Sequence, residues 1–425
     1  MCTEPTCRRV GAPGSWRDKH LCACRYAVRQ AFLVFAERLP ILLSTDVRRA
    51  AKVDHRGVRK ITLRVVGLVV AAVVTSSAGC GSEQSSPSAG DVIETNSAPL
   101  SDAYPPGTEA TALVYLSSER DGALVDTSGL LLVPGGDVPP GGWPVIAWGH
   151  GTTGIGDDCA PSVVPGAYYD AVLGEFLERG YAVAATDYIG LGTEGTHPYL
   201  IADSAAQATI DMVEASRDAE PGLSSEWVSI GHSQGGQASW AVAEAMTANP
   251  DPGYRGAIAL APAPNLSPDL DQLVSSDPLI QQFNLMSLVG LNTQTDIDYG
   301  DYLSGRARDA LPAVETLCFD DLTRDVTERN LTEADFQFRS DEARTRLHDS
   351  LVPHEIGYRP VAQPLLVLQG ADDVVVLPEY TREMVDAMPS PENIEYEEFE
   401  GADHGTVLTA ADSVMAQWLD TAFAS

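Results

Sequence analysis

The chain has 425 residues, 44% of them hydrophobic, which is apolar material for a large core and more length than one compact domain usually needs. Its formal net charge of -33 is unevenly spread: residues 1–80 carry 14 Lys or Arg against 5 Asp or Glu, and 81–425 carry 13 against 55. So acidic a body repels nucleic acid and anionic membrane surfaces, although an acidic composition is also a general habit of some genomes and salty habitats.

The boundary between the basic and acidic parts reads as an export signal. Arg56, Arg59, Lys60 and Arg64 precede an apolar run from Val65 to Val74, followed by Thr75-Ser76-Ser77-Ala78-Gly79-Cys80. The run is too short to span a bilayer but suits the core of a signal peptide. Cys80 behind Ala78-Gly79 resembles a bacterial lipobox, with Ser77 where that pattern prefers Leu. The expected location is therefore the cell surface or exterior, with lipidated Cys80 as a membrane tether. Residues 1–55 are too long for a signal peptide. They hold Cys2, Cys7, Cys22 and Cys24 near His20, a spacing that fits no common zinc site. A later translation start, at Val53 or Val58, would account for them. Residues 1–80 are thus expected to be an extension plus signal segment, and the Ser/Pro/Gly-rich stretch 81–107 a flexible linker.

From about residue 111, short apolar runs alternate with helical patterns. Expected strands are Thr111–Leu116, Gly129–Val133, Pro144–Gly149, Tyr181–Thr186, Trp227–Gly231, Ala257–Ala261, Leu365–Gln369 and Ile394–Phe399. Several are nearly pure Val, Ile, Leu or Ala, as strands buried on both faces of a parallel sheet require. Helices are expected at Tyr168–Arg179, Ser204–Arg217, Gln234–Ala248, Pro378–Met388 and Leu408–Phe423. The alternation implies a mostly parallel, doubly wound α/β sheet formed by 108–266 and 363–425. Between them, 267–362 lacks a buried strand and reads as an inserted helical cap over the carboxyl ends of the strands, a disordered insertion being the alternative.

The most informative string is Gly231-His232-Ser233-Gln234-Gly235-Gly236, after an apolar strand and before an Ala-rich helix. The pattern G-x-S-x-G in that context holds a serine on a sharp strand-to-helix turn, which small neighbours permit. The helix N-terminus then directs backbone N–H groups at an oxyanion. Nucleotide-binding folds also have Gly-rich turns, but G-x-G-x-x-G and a phosphate-binding Lys are missing. A serine nucleophile needs a base, and His404, in Gly401-Ala402-Asp403-His404-Gly405, is the one histidine beyond residue 354. The acid should follow the preceding strand, where Gly370-Ala371-Asp372-Asp373 offers two neighbours. The spacing of three after the glycine selects Asp373, with Asp372 as the alternative, while Asp403 reads as a loop acceptor. The oxyanion donors are expected to be the N–H of Gln234 and that of Thr152, with Thr153 or Gly151 in reserve. No metal or organic cofactor is required.

Taken together, Trp148-Gly149-His150-Gly151-Thr152-Thr153-Gly154, Cys159-Ala160-Pro161-Ser162, Asp187-Tyr188-Ile189-Gly190-Leu191-Gly192 and the Ser233 string resemble the secretory lipase family over roughly residues 95–425. That family includes fungal secreted lipases and actinobacterial relatives. The resemblance implies an α/β-hydrolase fold with a helical cap, a Ser233–Asp373–His404 triad, and a small-molecule or lipid ester as substrate. Cys159 and Cys318 then invite pairing, which would tie the loop after the third core strand to the cap. Tyr188 and His197-Pro198-Tyr199 are expected at the pocket rim, as packing aromatics or substrate contacts. An acyltransferase or a peptidase could use the same triad. A non-catalytic binding protein on this scaffold is the third reading, although such proteins usually lose a triad member.

Overall fold

The structure is a computed structural model that describes residues 86–163 and 169–424. Cys80 and the export-type segment lie outside the described residues. The described chain forms one nine-stranded sheet: β1 Val92–Ser97, β2 Glu109–Ser118, β3 Leu124–Val133, β4 Trp143–Gly149, β5 Ala182–Thr186, β6 Leu223–His232, β7 Tyr254–Leu260, β8 Leu365–Gly370 and β9 Ile394–Phe399. Their spatial order is β1-β2-β3-β5-β4-β6-β7-β8-β9. The first three strands join β5 in antiparallel fashion. From β5 through β4 to β9 every pairing is parallel.

The apolar runs of the central strands are explained by burial on two faces. In β4, Val145 and Ala147 enter one core cluster and Ile146 and Trp148 the other. In β8, Leu365 and Val367 divide from Leu366 and Leu368 in the same way. This is the period of two expected of side chains on a strand. Helices α2 (Ala202–Ala219) and α3 (Gln234–Ala248) contribute Ala206, Met212, Trp240 and Val242 to the first cluster. Helix α1 (Asp170–Glu178) covers the second with Val172, Leu173, Phe176 and Leu177. It is joined there by Met415 and Leu419 of the C-terminal helix Asp412–Ala422. That helix is separate from the single turn Val407–Ala410, so the continuous Leu408–Phe423 pattern is broken at Ala411.

One expectation needs correction. The stretch 81–107 is not a tether throughout, because Val92–Ser97 is strand β1, paired antiparallel with β2. Its sequence, Val-Ile-Glu-Thr-Asn-Ser, is mostly exposed at the sheet edge, so backbone hydrogen bonds rather than a buried face define it.

Between β7 and β8 the described chain is helical, with α4 Pro278–Asn292, α5 Phe319–Arg329 and α6 Asp341–Leu351 as its longest elements. These helices share an apolar cluster of their own, with Leu285, Met286, Leu322, Val326 and Leu347 at its centre. Ile155 and Tyr199, from the loops after β4 and β5, enter the same cluster and dock the insertion on the sheet. Cys159 and Cys318 form a disulfide with a Cα–Cα distance of 5.3 Å. Beside it, the N–H of Phe319 donates to the carbonyl of Thr153 at 2.9 Å. Among the described residues no helix is long and apolar enough to cross a membrane.

Candidate active site

The chain reverses its strand order at β4, which has β5 on one side and β6 on the other. Ligands of open α/β sheets bind outside the carboxyl ends of the strands at such a point. The loops leaving β4 and β6 there carry 150–154 and Ser233.

Ser233 stands between β6 and α3 with φ 59 and ψ -118, a conformation that L-residues rarely adopt. The turn is held from three sides. The Ser233 N–H donates to the Leu260 carbonyl at 2.9 Å, and its own carbonyl accepts from Ala263 and Gln237 at 3.0 and 3.1 Å. The flanking glycines are required by space. A methyl group on Gly231 would strike the carbonyl of Gly235, and one on Gly235 the carbonyl of Gly149. Helix α3 therefore starts in close contact with β4, with the buried Gln234 as its first residue.

Asp373, three residues beyond the end of β8, is 2% exposed, whereas Asp372 faces solvent. The Asp373 Oδ2 lies 2.7 Å from His404 Nδ1 and accepts from Gln369 Nε2 at 3.0 Å. Its Oδ1 accepts from the N–H groups of Val375 and Val376 at 2.8 and 2.9 Å. Burial opposes the charge, but the His404 ring and these donors prevail and hold the carboxyl below its ordinary range. The pairing fixes the proton of neutral His404 on Nδ1 and leaves Nε2 as the basic nitrogen. Asp403 stays exposed and accepts from Gly405 and Thr406, which shapes the loop that presents His404.

In the 150–154 loop, the Gly151 N–H already donates to the Tyr169 hydroxyl at 3.0 Å. That occupies the Gly151 N–H, which leaves Thr152 and Thr153 as the sequence candidates for the second oxyanion donor. A Cβ built on Gly151 would lie 3.3 Å from that of Ser233, so this loop borders Ser233. The Thr152 hydroxyl is 2.7 Å from the Tyr199 hydroxyl. Tyr188, His197 and Tyr199 are 1%, 1% and 3% exposed, and so belong to the packing rather than to an open rim. His197 Nδ1 donates to the Ile189 carbonyl at 2.9 Å, and its Nε2 accepts from Gln234 Nε2 at 2.8 Å. Burial pushes the His197 pKa down to about 4, so its neutral ring anchors the Gln234 side chain. Sequence reasoning did not assign this role, nor the contacts of His232 and Tyr169. The only hint in the sequence was a histidine immediately before Ser233.

Comparison with known proteins agrees with this fold. Residues 166–409 match the family described as serine aminopeptidase, S33. No curated protein sequence matches the chain. Among solved structures, a mutant of the rice cell wall degrading esterase LipA from Xanthomonas oryzae superposes with a TM-score of 0.67 at 19% identity, covering 79% of this chain and 100% of that one. Candida antarctica lipase A in its closed state gives 0.64 at 15% identity, covering 79% and 83%. A hydrolase from Legionella pneumophila, described as putative, gives 0.61 at 16%, covering 77% and 98%. At these identities the likeness establishes the fold alone. The family match spans more than half of the sequence and ends beyond His404. The chain belongs to the serine aminopeptidase S33 family of α/β-hydrolases.

Proposed function

We propose that this hydrolase is exported and cleaves carboxylic esters, acylglycerols among them, through an acyl-enzyme on Ser233. The observation that carries the reading is the combination of a strained Ser233 elbow with a buried Asp373–His404 pair at 2.7 Å. His404 Nε2 takes the Ser233 proton as the hydroxyl attacks the ester carbonyl, and Asp373 stabilises the imidazolium. The N–H groups of Gln234 and Thr152 receive the oxyanion. The imidazolium returns its proton to the departing alcohol, and water, activated by the same ring, then releases the acid. The acyl chain runs beneath the cap. The disulfide supports an oxidising compartment, and Cys80 supports a lipid anchor there.

Hydrolysis of p-nitrophenyl esters from acetyl to palmitoyl tests the reading. Wild type should be active, and Ser233→Ala should lose at least about 10³-fold in kcat. The chain-length optimum then separates esterase from lipase. A second reading, peptidase, is favoured by the family's description. Faster turnover of aminoacyl p-nitroanilides than of esters would establish it and displace the ester assignment.

A further inference from the structure

The 150–154 loop and the His404 loop are about 250 residues apart in the chain, yet one continuous set of hydrogen bonds joins them. It runs through two residues to which the reaction gives no direct part. His232 Nε2 lies 2.7 Å from the backbone carbonyl of His404, and its Nδ1 lies 2.9 Å from the Tyr169 hydroxyl. That hydroxyl accepts the Gly151 N–H at 3.0 Å. The directions follow from the end groups. A carbonyl can only accept, so His232 carries its proton on Nε2. Its Nδ1 is then an acceptor, and the Tyr169 O–H donates to it. The phenolic oxygen in turn accepts the Gly151 N–H. Each of these three contacts thus pairs a donor with an acceptor.

Two further facts show that the series is built in. A methyl group on Gly151 would fall on the Tyr169 hydroxyl, so the glycine makes room for this contact. The rings are also packed: Tyr169 sits 5.3 Å from Trp148 and 5.8 Å from His232, and His232 sits 4.6 Å from His404, centroid to centroid. Burial pushes the His232 pKa down to about 3, and the neighbouring His404 adds to the effect, so the ring stays neutral where an ester hydrolase works.

We infer that Tyr169 and His232 are positioning residues that set the oxyanion loop and the general base in register with each other on either side of Ser233. The Gly151 peptide orients the Thr152 N–H that follows it, and the His404 carbonyl orients the ring on the same residue. A single brace therefore holds both groups to the geometry that the tetrahedral intermediate needs, within the tolerance of a fraction of an ångström that catalysis demands. The inference rests on the ester-hydrolase reading.

The test compares full-length wild type, Tyr169→Phe, His232→Gln, His232→Ala and the Tyr169→Phe/His232→Ala pair on p-nitrophenyl butyrate, with Ser233→Ala as the control. Tyr169→Phe keeps the ring packing and removes only the hydroxyl. Its kcat should fall about 10-fold with KM changed less than about 2-fold, since the loss is felt in the transition state. Its affinity for a trifluoromethyl ketone, which forms a tetrahedral adduct with serine, should fall by the same factor. His232→Gln keeps a donor toward the His404 carbonyl and should lose less than His232→Ala. The double variant should lose little more than His232→Ala alone, because both act through one series.

A Tyr169→Phe enzyme with wild-type kcat and wild-type ketone affinity overturns the inference. So does one whose melting temperature falls while kcat per folded molecule stays unchanged, because that is packing and not positioning. If Tyr169→Phe does not fold, the order of His232→Gln and His232→Ala decides, and equal kcat for the two overturns it. An inactive wild type or an active Ser233→Ala sinks the ester reading instead. The calorimetric ketone affinity of wild type against Tyr169→Phe then still decides the brace.

Discussion

At the scale of single residues, the two adjacent aspartates after β8 give a sharp contrast. Asp373 is buried against His404, and Asp372 faces solvent. Asp373→Asn should lower kcat by about 10³ to 10⁴-fold by removing the charge that holds the His404 tautomer. Asp372→Asn should stay within about 3-fold of wild type, since its side chain makes no comparable demand. Steady-state kinetics of the pair check both statements. Glu244 on α3 offers a test of stability. It is 2% exposed and accepts the Gly357 N–H at 2.7 Å, with Arg359 at 3.6 Å. Burial outweighs these partners and pushes its pKa up from 4.5 to about 7. A folded-state pKa above the unfolded one means that the folded protein binds the extra proton. The resulting stability is fully present below pH 4.5 and is lost as pH rises through 7. Glu244→Gln mimics the protonated side chain. It should match wild type at pH 4 and be more stable at pH 8 by up to about 3 kcal/mol, as read by denaturant unfolding. Equal stability at pH 8 would contradict the buried-carboxyl account.

At the scale of elements, the important join is between the loop after β4 and the start of α5. The Cys159–Cys318 disulfide closes a sequence separation of 159 residues, and the Phe319 N–H holds the Thr153 carbonyl next to it. Cutting the bridge frees the unfolded chain and should lower stability by up to about 5 kcal/mol. It also loosens the loop that carries Thr152. Cys159→Ser/Cys318→Ser should therefore show a lower melting temperature together with a kcat loss of a few-fold in the protein that remains folded. Thermal unfolding and kinetics of the double variant read the two effects separately. The central strands of the parallel part were legible in the sequence because they must be apolar on two faces, as the division of Val145 and Ala147 from Ile146 and Trp148 shows. β1 was not legible. Its polar residues pack little, and its place is set by main-chain bonds to β2 that leave no periodic mark.

At the scale of the whole molecule, the sheet reversal at β4 gathers residues from 150 to 404 into one site. The candidates for nucleophile, acid and base came from local signals: glycines around Ser233, the offset of Asp373 from Gly370, and a lone histidine after the last strand; of these the structure joins Asp373 to His404. The brace could not be read from such signals, since Tyr169 and His232 are 63 residues apart and meet only after folding. Nor could the engagement of the Gly151 N–H, because backbone donors look alike in a sequence. The central claim is that this assembled site makes Ser233 a nucleophile. Reaction of the full-length protein with a fluorophosphonate, followed by peptide mass spectrometry, tests it most directly. The account predicts a single adduct on Ser233, formed rapidly in wild type and at least about 10²-fold more slowly in His404→Ala, since a serine hydroxyl is a weak nucleophile without its base. An unlabelled Ser233 in folded protein, or labelling at the same rate without His404, would contradict it.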